Sequence, residues 1–104
     1  MPFLIETWIE PAQMASRERV RPDHLNYLRN KAVLLLAAGA KLEDDGAVGP
    51  GSFYLIDVET RADAEAFLAG DPYRQAGVIS AVTMTRVRQG FYNRQQHMRA
   101  GAQP

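Results

Sequence analysis

The stretch Ser52 to Gly70, SFYLIDVETRADAEAFLAG, holds a strand and a capped helix in immediate succession. From Ser52 to Val58, Phe53, Leu55 and Asp57 alternate against Tyr54, Ile56 and Val58, the period of two that a pleated strand imposes. The periodicity then changes. Thr60 is placed to cap a helix, and Asp63 stands three residues on, where a capping-box acid belongs. Ala64, Phe67 and Leu68 form the buried stripe of that helix, and Gly70 closes it.

Downstream, Asp71-Pro72 opens a single turn ending near Gly77, and Val78 to Val87 reads as a final strand, with Ala81, Thr83, Thr85 and Val87 facing away from Val82, Met84 and Arg86. Upstream, Asp45-Gly46 through Gly49-Pro50-Gly51 reads as a turn-rich loop preceded by a short strand, Ala40 to Asp44. A first helix is expected to begin at Pro22, whose missing N–H costs nothing at the first helical position. Asp23 in the first turn complements the helix dipole. Leu25, Leu28, Ala32, Leu35 and Leu36 then make one apolar stripe, and Gly39 is its stop. Pro11 to Val20 reads as a polar connection with room for a helical turn, and Pro2 to Ile9 as an opening strand with apolar groups on both faces.

The predicted order is β-α-β-β-α-β, the split unit of ferredoxin-like α+β folds, with a four-stranded antiparallel sheet and both helices on one face. The second face carries large apolar side chains, and exposed apolar area costs roughly 25 cal/mol per Å². A second copy packed sheet to sheet is the expected cover, so a homodimer is predicted. Residues 1–90 are expected to form the body and 91–104 a polar, flexible tail whose Phe91-Tyr92 can dock on the body.

Composition narrows the function. The chain has 104 residues, 46% hydrophobic and 23% charged, which suits one globular domain. Twelve basic and twelve acidic residues cancel, so no broad positive field attracts nucleic acid or anionic membrane. The absence of cysteine excludes disulfides and thiolate chemistry. The longest apolar run, Ala32 to Ala38, is too short to span a bilayer. With no signal-peptide pattern at the N-terminus, a cytoplasmic location is expected. No G-x-S-x-G, P-loop or H-E-x-x-H pattern occurs.

Chemistry is concentrated in two segments, Arg21-Pro22-Asp23-His24 and Asp71-Pro72-Tyr73, which open two helices. His24 is the one histidine within the predicted body, and a carboxylate beside an imidazole fixes its tautomer and supports the protonated ring. His24 and Asp71 are the candidate acid–base pair. Arg21, one turn before His24, is a candidate anchor for a substrate carboxylate, with a surface ion pair to Glu18 or Asp23 as its structural alternative. Tyr73 and Ser52 are further candidates for contact with a ligand, although Ser52 also reads as a turn residue. Asp71 before Pro72 has the pattern of a plain helix cap. Tyr54 and Trp8 read as sheet or interface residues, Asp44-Asp45 as an acidic turn rather than a metal site, and His97 as an exposed tail residue.

Several of these segments together resemble the YCII-related family, whose members are small dimeric proteins of the ferredoxin-like, dimeric α+β-barrel type. The resemblance rests on the Phe3-Leu4-Ile5 strand, Arg21-Pro22-Asp23-His24-Leu25-Asn26-Tyr27-Leu28, Ala38-Gly39-Ala40, the Ser52-to-Val58 strand with its acidic helix, and Gly70-Asp71-Pro72-Tyr73 with Ala76-Gly77. It spans Pro2 to Arg88 and excludes the tail, His97 included. It implies a pocket where His24 and Asp71 meet, with acid–base work and neither metal nor organic cofactor. A related branch removes chloride from chlorinated muconolactones, and the wider superfamily includes muconolactone isomerases and cofactor-free monooxygenases. A small-molecule enzyme acting by elimination, isomerisation or lactone chemistry is therefore expected, with a carboxylate or lactone as ligand. The rival is a non-catalytic module that senses a metabolite in the same cleft. An RNA-binding reading lacks the aromatic-rich strand and the basic charge it needs.

Overall fold

A computed structural model describes residues 1–96. Strand β1 (Phe3–Trp8) leads through a 3₁₀ turn (Pro11–Gln13) into helix α1 (Met14–Asn30). After a second 3₁₀ turn (Ala32–Leu34) come β2 (Leu35–Leu42), β3 (Val48–Ile56), α2 (Arg61–Ala69), the single-turn α3 (Pro72–Gln75) and β4 (Ala81–Arg86). The sheet is antiparallel in the order β2-β3-β1-β4, so the expected α+β, ferredoxin-like architecture is the one observed.

Register sorts the side chains. Ile5 lies opposite Tyr54 and Met84, and Thr7 opposite Ser52 and Val82, so these residues share the face under the helices. Phe3, Ile5, Tyr54 and Ile56 pack there against Ala64, Phe67 and Leu68 of α2 and Tyr73 of α3. As expected, Thr60 caps α2, its hydroxyl accepting from Asp63 N–H at 3.1 Å. Leu4, Trp8, Phe53 and Leu55 point to the opposite face and are half-buried. Lys41 lies on Trp8, with Nζ 3.5 Å from the ring centroid, and donates to Thr7 O at 3.1 Å.

Four boundaries differ from the sequence reading. The first helix starts at Met14, eight residues before Pro22, so most of the supposed polar connection is helical and Pro22 is interior. Proline there withholds the hydrogen bond that Glu18 C=O would receive, a cost of about 3 kcal/mol in an isolated helix. Contacts on both sides of the proline hold the helix together: Arg17 before it and His24 after it are both buried. Second, that helix ends at Asn30, and Leu35 to Leu42 is strand. A short apolar run fits helix or strand equally by periodicity, and pairing with β3 decides it. Third, Gly49-Pro50-Gly51 lies inside β3 rather than in a loop. It falls at the register shift between Ala40 and Leu42, where the missing N–H of Pro50 breaks no ladder bond to β2. Gly51 crosses β1 so closely that a Cβ would stand 1.9 Å from Thr7 O. The final strand is also shorter than Val78 to Val87; Val78 and Ile79 are buried in the connection before it.

Phe91–Tyr92 and Gln95–Gln96 pair as a hairpin (β5 and β6). The hairpin reaches back to the body through Tyr92, whose hydroxyl donates to Leu36 O at 3.0 Å. His97 and the rest of the predicted tail lie outside the described residues.

Candidate functional site

Two helix-borne segments meet beside the sheet. Helix α1 sends Arg17, Arg21, His24, Leu25 and Leu28 along one face, the spacing of successive turns. The start of α3 supplies Asp71, whose carboxylate is fully buried. His24 Nδ1 lies 2.7 Å from Asp71 Oδ1, and the same oxygen accepts from Tyr73 N–H at 3.0 Å. The other oxygen, Oδ2, accepts from the Tyr54 hydroxyl at 2.9 Å. Asp71 is thus both the helix cap and the partner of the imidazole, so neither sequence reading excludes the other.

This arrangement fixes a tautomer. In the neutral ring Nδ1–H donates to the carboxylate, which leaves the Nε2 lone pair without a hydrogen-bond partner among the described residues. The ring stacks on Tyr73 with centroids 3.8 Å apart and planes 10° from parallel, and Tyr54 meets it edge-on. Both tyrosines limit its rotation.

His24 opens onto a cavity of about 190 Å³. Arg17, Arg21, Ser52, Tyr54 and Tyr73 line it beside Leu25, Leu28 and the β2 backbone at Ala38 to Ala40. No acidic side chain is among them. Of the sequence candidates, His24, Arg21, Ser52 and Tyr73 therefore share one cavity, with Asp71 directly behind the imidazole. Arg21 makes no ion pair with Glu18 or Asp23; it is Arg17 that pairs with Glu18. Ser52 is not a turn residue but a buried position in β3. Asp45 accepts from Ala47 N–H at 2.9 Å, an acidic turn as read. Among the described residues no group of three or more His, Cys, Asp or Glu is arranged to hold a metal, and no helix is long and apolar enough to cross a membrane.

Sequence reasoning missed two residues. Arg17 was hidden by the late helix start; once α1 extends to Met14, it sits seven residues before His24 on the same face. Tyr54 reads as a sheet or interface residue, yet it follows Ser52 by two residues, which puts both on the cavity side of one strand.

Burial is the main force on the tyrosines. It pushes the Tyr54 phenol far above its ordinary range, with the charge and hydrogen bond of Asp71 adding to the rise. Burial raises Tyr73 as well, against the opposing pull of Arg17 and Arg21, with Asp71 adding to the rise. A phenol raised in the folded state stabilises the fold fully below the unfolded value of about 10 and loses that contribution as pH climbs from there towards the folded value. Unfolding free energy is therefore expected to fall above about pH 10, and Tyr54→Phe is expected to flatten that fall by up to about 1.4 kcal/mol per pH unit. Urea unfolding of both proteins at pH 9, 10 and 11 measures it. Equal slopes would show that Tyr54 contributes nothing to the alkaline loss.

No curated protein matches the chain. Among solved structures, 5-chloro-2-hydroxyhydroquinone dehydrochlorinase from Burkholderia phenoliruptrix AC1100, in complex with 2,5-dihydroxybenzoquinone, is similar over 86% of this chain and 96% of its own, with 27% identity and a TM-score of 0.78. The YCII-related domain matches residues 1–88, the whole body that carries the His24–Asp71 pair, and the chain accordingly belongs to the YCII-related family.

Proposed function

We propose that this protein is a cofactor-free enzyme of small-molecule metabolism, with His24 as general base and acid and Asp71 as the residue that orients it. The observation that carries the reading is the 2.7 Å contact between His24 Nδ1 and a fully buried carboxylate, on a ring that opens onto a cavity. Nε2 takes a proton from a carbon next to a carbonyl or from a ring hydroxyl. Asp71 stabilises the imidazolium that results, and the same nitrogen returns the proton to product or solvent. Arg21, Ser52 and Tyr73 contact the substrate. Elimination of chloride from a hydroxylated ring, isomerisation and lactone opening all need this proton transfer, which by itself contributes about 10²–10⁴-fold.

The similarity to a dehydrochlorinase makes 5-chloro-2-hydroxyhydroquinone the first compound to test, followed by chlorinated and unsubstituted lactones. Chloride release or ring opening that depends on His24 supports the enzyme. Ligand protection against melting with no product from any of these compounds supports the metabolite-sensing module instead.

The body is proposed to work as a homodimer, each copy covering the half-buried Leu4, Trp8, Phe53 and Leu55 of the other. Sedimentation at micromolar concentration is expected to give twice the chain mass. A monomer would remove the dimer from the proposal.

A further inference from the structure

We infer that Arg17 and the Tyr73 hydroxyl form the anion-binding end of the cavity, and that the ligand taken beside His24 is a single-ring or similarly compact oxyanion. The inference rests on the proposed use of this cavity and assigns its ligand chemistry.

Arg17 is 6% exposed, unusual for an arginine. Its Nη1 pairs with the carboxylate of Glu18, whose own side chain is 60% exposed, and its guanidinium makes no other hydrogen bond among the described residues. A guanidinium has five N–H donors, so most of its bonding capacity remains unused at the cavity wall. Its carbon Cζ lies 5.9 Å from the centre of the Tyr73 ring. The Tyr73 hydroxyl is buried and is the one buried side-chain polar atom without a hydrogen-bond partner among the described residues. Buried hydroxyls are normally satisfied, and leaving one unpaired is costly. An acceptor entering the cavity would satisfy both groups.

Charge selects the acceptor. Arg17 and Arg21 line the cavity, and no carboxylate lines it. Asp71 is spoken for by His24, Tyr54 and the Tyr73 N–H. Such a lining favours an anionic oxygen over a neutral one. Size selects the rest. An apolar cavity of 150 Å³ admits benzene, so about 190 Å³ accommodates one substituted six-membered ring. An oxygen held at the Arg17 end leaves the remainder of that ring beside His24.

The test uses a matched pair of probes, benzoate and its neutral isostere benzamide, titrated calorimetrically into the full chain. Wild type is expected to prefer benzoate by at least tenfold. Arg17→Met is expected to abolish that preference and leave benzamide binding unchanged, Arg17→Lys to keep part of it, and Tyr73→Phe to reduce it several-fold. Circular dichroism and melting of each variant establish that it is folded, and Glu18→Gln, which frees the guanidinium without touching the cavity, is expected to tighten benzoate. Equal affinity of wild type for the two probes, no binding of benzoate, or an unchanged preference in a folded Arg17→Met protein would overturn the inference. The outcomes separate it from the acid–base proposal. An Arg17-dependent anion preference in a protein that turns nothing over removes the catalytic reading alone. Turnover that needs His24 but is indifferent to Arg17→Met removes this inference alone.

Discussion

Replacing His24 with alanine is expected to lower turnover by about 10²–10⁴-fold, the contribution of a positioned general base. The size follows from the geometry rather than from the presence of a histidine. Nδ1 is committed to Asp71 at 2.7 Å, and two tyrosine rings restrain the imidazole, so Nε2 is held in one tautomer and one orientation. Alanine also deletes the ring stacked on Tyr73 and one of the donors on Asp71, so a loss of activity in that variant alone mixes chemistry with folding. His24→Asn separates them. Its amide N–H can replace Nδ1–H as a donor to Asp71, but nothing replaces the Nε2 lone pair. This variant still loses the ring stacked on Tyr73 but keeps a donor on Asp71, so it is expected to melt above the alanine variant and to be as inactive as alanine. The measurement is kcat/KM on whichever substrate the wild type accepts, with melting temperature alongside. Activity within threefold of wild type in a folded His24→Asn protein would show that the imidazole is not the base.

The legible parts of this chain are those where local chemistry and tertiary packing agree. Thr60 and Asp63 announce a helix start that the structure uses, and the alternation from Ser52 to Ile56 describes a real strand, because neither depends on a distant partner for its identity. Asp71-Pro72 is likewise read correctly as the opening of a turn. The failures lie where tertiary contacts overrule local preference. Pro22 is a good first residue for a helix, yet α1 runs through it because Arg17 and His24 are both buried along the same face. Leu35 to Ala38 has no local feature that prevents helix and becomes strand because β3 lies beside it. The site follows the same pattern. His24 and Asp71 could be nominated by residue type and position, but their 47-residue separation is closed only by folding. Arg17 and Tyr54 carry no such signal, since the first lies in a segment with the polar pattern of a connection and the second has a role that exists only once Asp71 is placed against it.

Asp71 is expected to be the costliest side chain in the site to remove. Truncation to alanine leaves three donors facing a cavity they cannot fill: His24 Nδ1–H, the Tyr54 hydroxyl and the Tyr73 N–H. All surround a side chain with no exposure, so water cannot easily replace the lost acceptor. A plain surface cap is worth about 1 kcal/mol, whereas each buried donor left without an acceptor costs about 1–3 kcal/mol. The second figure applies here to three donors at once, one each from α1, β3 and α3. For a domain of this size, each kcal/mol moves the melting temperature by roughly 4–8 °C, so Asp71→Ala is expected to melt well over ten degrees low or to fail to accumulate. Asp71→Asn distinguishes structural from catalytic work. Its carbonyl oxygen can still receive the His24 and Tyr73 N–H groups, and its amide can donate to the Tyr54 hydroxyl, which is free to turn and accept. Most of the stability is therefore expected to remain, with a loss of about 1–2 kcal/mol for hydrogen bonds no longer made to a charge. Turnover is expected to fall much further, because an uncharged amide cannot stabilise the imidazolium formed when Nε2 takes up a proton. Urea unfolding of the two variants beside their rates tests both parts. A loss of only about 1 kcal/mol in Asp71→Ala would reduce the residue to an ordinary cap, and full activity in Asp71→Asn would leave His24 without an electrostatic partner in the reaction.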